Sequence, residues 1–230
     1  ERSSVDLSRL EYLEFGSRCF GKLDRFMLMK CSCLRTLHIG AGALAKCEYF
    51  VLLDYVNRVH FEEDKEKIQI IPEEYPGLPQ EAEIQCLIYS FCVEVCHRLT
   101  SITLEEGCLK RVLHFDVSYL KRLKEISLPS NFMEDLKTFS MSDNAKLTEL
   151  VIPDGCFPRV EYFSLQDHPA LQTLDIADDV MANGGFCIMR NLYPTTINIS
   201  KKSMLCKASS YKSIPKKLRR AIVKNLTPFQ

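Results

Sequence analysis

Two consecutive stretches of equal length decide the fold: LKEISLPSNFMEDLKTFSMSDNAK, from Leu123 to Lys146, and LTELVIPDGCFPRVEYFSLQDHPA, from Leu147 to Ala170. Each opens with apolar residues at its first, fourth and sixth positions, and carries Phe-x-Met or Phe-x-Leu in its second half. Apolar residues at every second position predict a short strand with one buried face. Each stretch therefore predicts a unit of two short strands joined by a turn.

The same spacing, about 24 residues, recurs along the chain, which is the signature of a repeat protein. One such unit cannot bury its apolar side alone, whereas stacked units join their apolar rows into a continuous core. We therefore expect a β-rich solenoid of about eight units over residues 1–200, with an apolar residue after each turn packing into the core. The clearest units begin at Leu10, Leu34, Leu99, Leu123, Leu147 and Leu171.

One interruption is expected in the array. Val59 and Phe61 approximate the first strand of a unit, but the next unit begins later than the period requires, at Leu99. The excess lies at about 62–83, where eight acidic residues face two basic ones and three prolines occur. Proline removes a backbone donor and disfavours regular structure. The sequence thus predicts an acidic loop here, with one short strand at Ile68–Ile71.

The chain is neutral as a whole, with 30 basic and 30 acidic residues among 230, but its charges are segregated. Residues 201–230 hold nine basic residues and no acidic one, which leaves 21 basic against 30 acidic residues in residues 1–200. This segregation predicts that the body binds a basic partner, that the tail binds an acidic partner, or that tail and body contact each other.

Leu218, Ile222 and Leu226 recur at helical spacing, so the tail is predicted to be a helix that caps the last unit. As an alternative, its basic face could contact nucleic acid or a membrane surface, although it lacks the interleaved aromatic residues that stack on bases. The candidate basic residues are Lys216, Lys217, Arg219 and Arg220.

The pattern Leu-x-x-Leu-x-Ile at a fixed period resembles a leucine-rich repeat. Cys19-Phe20 and Cys156-Phe157, which follow the turn, make it similar to the 23–24-residue repeats of bacterial and protist surface-antigen-type proteins, over about residues 10–199. Cys108-Leu109 also resembles the cysteine-containing repeats of ubiquitin-ligase substrate receptors. Either resemblance implies binding of protein or glycan on a strand face, without catalysis. The commonest leucine-rich repeat has Asn after the first strand, and here only Asn131 does so, which favours two strands per unit.

The candidate binding surface is the outward side of the first strands, at the positions two and four residues after the leading Leu. Stacked strands lie about 4.8 Å apart, so these side chains form one extended, mostly acidic and hydroxyl-rich surface. The alternative is an ordinary solvated strand face. The candidate residues are Tyr12, Glu14, Thr36, His38, His60, Glu62, Thr103, Glu125, Glu149 and Asp175.

A second candidate surface lies on the early second strands, which are apolar on both sides. An exposed apolar run of this kind marks an interface, unless other parts of the polypeptide cover it. The outward apolar residues are Met27, Met29, Tyr49, Val51 and Leu53.

Catalytic and metal-binding signals are weak. The chain has no phosphate-binding glycine loop, nucleophile elbow or His-Glu-x-x-His motif, and its cysteines lack the paired spacing of a structural zinc site. We therefore expect no enzymatic activity, metal or cofactor, and no transmembrane segment, because no apolar run is long enough. Most of the eleven cysteines fall at apolar positions, which favours a reducing, intracellular compartment over a disulfide framework.

The expected function is therefore non-catalytic recognition of another protein, as a scaffold or subunit of a larger complex. Two alternatives are a substrate-recruiting receptor subunit of an enzyme complex of the ubiquitin-ligase type, and a cell-surface adhesin that binds a host protein or glycan. The residues alone do not identify the partner.

Overall fold

The computed structural model describes residues 7–54, 89–183, 185–200, 202–203 and 220, and only the backbone of residues 56–62, 67–72 and 84–87. In these residues the chain is a parallel β-solenoid of about six turns with almost no helix. The strands in chain order are β1 (Tyr12–Phe15), β2 (Arg25–Met29), β3 (Thr36–Ile39), β4 (Tyr49–Leu53), β5 (Val56–Glu62), β6 (Lys67–Pro72), β7 (Ile84–Leu87), β8 (Ser90–Glu94), β9 (Ser101–Leu104), β10 (His114–Ser118), β11 (Glu125–Ser127), β12 (Thr138–Ser142), β13 (Glu149–Ile152), β14 (Tyr162–His168), β15 (Thr173–Ile176), β16 (Phe186–Leu192) and β17 (Thr196–Ile199).

The strands of the solenoid stack in two columns. The second strands form one parallel sheet of seven strands in the order β16-β14-β12-β10-β8-β4-β2, called here the second-strand sheet. The first strands form two parallel sheets, β1-β3-β9-β11 and β13-β15-β17, whose outward sides together are called here the first-strand face. In regular turns the register advances by one full repeat, as where Phe115 lies opposite Phe139. The period and the two strands per unit are thus confirmed.

The core lies between the two columns. From the second turn onward the inward Leu, Ile and Phe residues of both strands are buried, except Ile197 of the last turn, which is partly buried. Six phenylalanines of the second-strand sheet stack face to face along the solenoid, with ring centroids 4.9–5.2 Å apart. This separation matches the spacing between strands, so each turn adds one ring to the stack. The stacked residues are Phe26, Phe50, Phe91, Phe115, Phe139 and Phe163.

Each turn bends sharply between its two strands, at the apolar residue predicted to follow the turn. In six turns this residue has a left-handed backbone, with φ between 50° and 54°. Five of the six side chains are buried in the core, and Phe20 is exposed. The burial offsets a backbone conformation that costs an L-residue about 1–2 kcal/mol. The six residues are Phe20, Leu44, Leu109, Met133, Phe157 and Met181.

The insertion differs from the prediction. β5, β6 and β7 form a separate antiparallel sheet, so Val59 and Phe61 do not belong to a first strand of the solenoid. The predicted short strand exists as β6. Because β5 hydrogen-bonds to β6, the backbone groups of this segment are satisfied outside the column. β3 therefore pairs directly with β9, and the expected eight units are about six turns.

The predicted helical cap lies almost entirely outside the described residues. Lys216, Lys217 and Arg219 are not among them, and Arg220 is described only as an exposed residue in helical conformation. Near the start of the tail, Lys202 Nζ lies 2.9 Å from Asp178 Oδ2. This one basic residue of the tail thus pairs with an acidic residue of the body.

Candidate functional site: the first-strand face

The first-strand face contains eight of the ten residues predicted for it. Along β1, β3, β13 and β15 the inward residues are more buried than their outward neighbours, as period-two strands require. Glu125 and Glu149 are exposed, and Asp175 is half-buried. The other five are Tyr12, Glu14, Thr36, His38 and Thr103.

The remaining two residues, His60 and Glu62, do not lie on this face. Both belong to β5 and therefore to the antiparallel sheet of the insertion. The repeat period predicted that these residues lie on a first strand of the solenoid, whereas they lie on a strand of the insertion. The strand next to β3 in the first-strand column is β9 instead.

In the early part of the face, on β1, β3 and β9, two carboxylates lie beside one histidine. His38 Nε2 lies 2.9 Å from Glu105 Oε1, and His38 Nδ1 lies 3.6 Å from Glu14 Oε1. The backbone N–H of Ala41 donates to the second oxygen of Glu105, at 2.9 Å. These two hydrogen bonds to its charged form lower the pKa of Glu105. The carboxylates of Glu14 and Glu105 thus share His38 as a neighbour in this part of the face.

The late part of the face, on β11, β13 and β15, is different. Among the ion pairs of the described residues, none includes Glu125, Glu149 or Asp175. Val151, an outward residue of β13, is 39% exposed and lies directly opposite Asp175. Three carboxylates with no ion pair among the described residues thus lie on β11, β13 and β15, with the exposed Val151 on the middle strand. We call these four residues the late acidic patch.

The prediction of a second candidate surface is wrong for its central residues. Tyr49, Val51 and Leu53, predicted as exposed, are 3% exposed or less. The outward residues of the next strand, β8, are buried as well. The polypeptide thus covers this part of the second-strand sheet itself, and the insertion, which leaves β4 and returns at β8, is the segment adjacent to it. At the edge of the sheet Met27 is half-buried and Met29 is 41% exposed.

The covered region contains two carboxyl groups that the sequence did not single out. Glu94 and Asp116 lie on the outward side of β8 and β10, and burial raises the pKa of each. The Asp116 charge raises the pKa of Glu94 further, whereas a hydrogen bond from Ser118 Oγ, at 2.5 Å, opposes the shift of Asp116. The signal that could have found Glu94 is its place in an otherwise apolar run, Phe91–Cys96.

Asn144 and His168, which occupy equivalent positions in successive turns, hold the turns together behind the second strands. The Asn144 side chain donates to Val117 O at 2.8 Å and accepts from the Leu120 N–H at 3.1 Å. Its own N–H donates to His168 Nδ1 at 3.3 Å, and burial lowers the pKa of His168 to about 4. Both residues are fully buried, so they serve the fold and not the surface.

Nine cysteines are described, and all are free thiols. Seven of them are buried, as their apolar positions predicted. Burial raises the pKa of Cys108 and Cys187 to about 12 and that of Cys156 to about 11, which makes these thiols poor nucleophiles.

In the described ranges no three His, Cys, Asp or Glu residues are grouped so that they could hold a metal ion. No described helix has the length and the apolar character that crossing a membrane requires.

Comparison with known proteins adds no relative. No protein-family model matches the chain, and neither a curated protein nor a solved structure matches it. The features that bear on function are therefore those of the molecule itself: a parallel β-solenoid, a first-strand face whose early carboxylates lie beside His38, and a late acidic patch at its other end.

Proposed function

We propose that the chain is a non-catalytic protein-recognition module of the leucine-rich-repeat type, acting as a scaffold or subunit of a larger complex, and that it binds its partner at the late acidic patch. The carrying observation is the contrast along one face. The carboxylates of Glu14 and Glu105 lie beside His38, whereas those of Glu125, Glu149 and Asp175 have no ion-pair partner among the described residues.

The chemistry of the patch favours an extended basic segment. Neighbouring parallel strands repeat about every 4.8 Å, so a peptide that crosses them meets one carboxylate per strand. Val151 gives such a peptide an apolar contact in the middle of the patch. The short neighbouring side chains of Ser127 and Thr173 leave the carboxylates accessible and can donate hydrogen bonds. Complementary charge of this kind supports association rate and specificity more than affinity.

Fluorescence anisotropy with a labelled twelve-residue peptide of alternating Lys and Thr tests this proposal. We expect the variant Glu125→Lys/Glu149→Lys/Asp175→Lys to bind the peptide at least about tenfold more weakly than the wild type. Binding by the wild type should also weaken between 50 and 200 mM salt, because ions screen exposed charges.

The matched control carries the same change of charge elsewhere: Glu106→Lys/Glu134→Lys/Glu161→Lys, three exposed residues off the first-strand face. Both variants are checked by circular dichroism. If the control loses as much binding as the patch variant, the attraction belongs to the negative body as a whole and the late acidic patch is not the site.

We place this function inside the cell, and the state of the cysteines distinguishes this setting from the adhesin alternative. Titration of the unfolded protein should find eleven free thiols. Five disulfides in the natural protein would indicate an oxidising compartment and a surface protein instead. The receptor-subunit alternative differs in its partner, an enzyme subunit bound in addition to the substrate.

A further inference from the structure

The first turn of the described solenoid exposes the core that every later turn buries. Phe20 is 60% exposed, whereas its equivalents Leu44, Leu109 and Phe157 are fully buried. Five other core residues of this turn are only partly buried, although their equivalents in the next turn are fully buried. These five are Leu10, Leu13, Cys19, Leu23 and Phe26.

The same end of the molecule has two free strand edges. β1 pairs with β3 and β2 pairs with β4, and neither has a second strand partner among the described residues. An edge strand presents a row of backbone N–H and C=O groups that can pair with another strand. The stack of phenylalanine rings also ends here, at Phe26, which stacks on Phe50 on one side.

The opposite end of the described solenoid is more covered, although Ile197 of β17 is only partly buried. In the last turn Met181 and Met189 are fully buried, and Cys187 and Leu192 are 1% exposed. The core is therefore more exposed at the first-turn end than at the last.

We propose that this first-turn end is a docking surface for one further turn of a parallel β-solenoid, built on the same two-strand pattern. The surface by which each turn packs on its neighbour is also present on the first turn, where no described turn covers it. A docked turn would hydrogen-bond to β1 and β2, stack an aromatic ring on Phe26 and cover Phe20. Two parallel edges separated by an apolar core fit such a strand pair, whereas a helix could satisfy the core but not the edges. This inference is independent of the late acidic patch.

The test extends the protein by one of its own turns. A copy of Leu147–Ala170, inserted directly before Leu10, places two new strands in register with β1 and β2. The first readout is the alkylation rate of Cys19, a half-buried thiol of the open end, measured by mass spectrometry. The rate should fall at least about tenfold, because the docked turn covers this thiol. Cys33, half-buried at the end of the same unit between β2 and β3, should keep its rate.

A control copy carries Leu150→Ser, Phe157→Ser and Phe163→Ser, so it has the same length but no apolar rows. The active copy should raise the urea midpoint of unfolding and the control copy should not. Phe20→Asp should abolish that gain. A second extended protein carries a copy of Leu123–Lys146 at the same place, so that the test does not depend on a single inserted sequence.

Two results would overturn the proposal. One is an active copy that protects Cys19 no better than the control copy does. The other is a dimer of the unextended chain in analytical ultracentrifugation that Phe20→Asp dissociates, because a second copy, not a solenoid turn, would then occupy the surface.

Discussion

At the scale of single residues, the solenoid depends on left-handed backbone positions that recur in its turns. Sixteen non-glycine residues in the described part of the chain have φ between 50° and 62°. Such a conformation costs an L-residue about 1–2 kcal/mol, so the packing of the turn must compensate for it. Glycine removes the cost, and Gly155 occupies one such position with φ of 67°.

Gly155→Ala tests this dependence. A Cβ at Gly155 would lie 2.3 Å from Asn131 Oδ1, and alanine would also have to adopt a positive φ. We expect the free energy of unfolding to fall by about 1–3 kcal/mol in urea titrations. Gly16→Ala is the matched control, because nothing lies within 4 Å of its Cβ. Equal stability of the two variants would contradict the role assigned to this turn.

The buried carboxyl of Glu94 predicts a dependence of stability on pH. Its folded pKa is raised, so the folded protein keeps the proton at pH values where the unfolded chain has lost it. This contribution is largest below the ordinary carboxyl range near 4 and is lost as the pH rises towards and above neutrality. The free energy of unfolding should therefore fall between pH 5 and pH 8.

Glu94→Gln should reduce that fall and should stabilise the protein at pH 8 by an amount on the order of 1 kcal/mol. The exposed Glu125→Gln is the control and should keep the wild-type slope. A Glu94→Gln protein with an unchanged slope would show that this carboxyl ionises as readily in the folded as in the unfolded chain.

At the scale of the elements, the stacked phenylalanines join one turn to the next. Phe139 lies between Phe115 and Phe163 with ring centroids 5.0 and 4.9 Å away, and it is fully buried. Phe139→Ala should lower the free energy of unfolding by about 3–5 kcal/mol, because it leaves a cavity in the middle of the stack. The control Phe186→Ala removes a ring that is 41% exposed and stacked on Tyr162, and should cost about 1 kcal/mol. Comparable losses would contradict the role assigned to the inner stack.

The elements that the sequence predicted are those with a local signal. Period-two alternation around Leu150 and Phe163 indicated both strands, their inward sides and the repeat. β5 was misplaced because its pattern, Val59 and Phe61, suits a strand of the column equally well. Its choice of partner depends on β6, and a pairing between strands has no local signal.

The candidate site was predictable to a similar degree. The outward positions of the first strands follow from the register, so Glu125, Glu149 and Asp175 were found. The pairing of His38 with Glu105 was not predicted. The two residues are 67 positions apart in the chain and come together because β3 pairs with β9 across the insertion. The burial of Val51 was also missed, since only tertiary packing distinguishes a covered sheet from an exposed one.

At the scale of the whole molecule, the two faces of the solenoid differ along its length. The early second strands are buried on both sides, at Tyr49 and Leu53, and on the early first-strand face Glu14 and Glu105 lie beside His38. The late acidic patch has three carboxylates that no ion pair of the described residues includes, and we propose that a partner binds there. The excess negative charge of residues 1–200 is thus paired with basic side chains at some surfaces of the described solenoid and not at others.

Affinity purification with quantitative mass spectrometry tests the recognition function most directly. Three tagged proteins are compared in the same cell extract: the wild type, Glu125→Lys/Glu149→Lys/Asp175→Lys, and the control Glu106→Lys/Glu134→Lys/Glu161→Lys. We predict a protein that the wild type and the control capture in similar amounts and that the patch variant captures at least about tenfold less. If the patch variant captures the same proteins in the same amounts as the wild type, the late acidic patch is not the recognition surface.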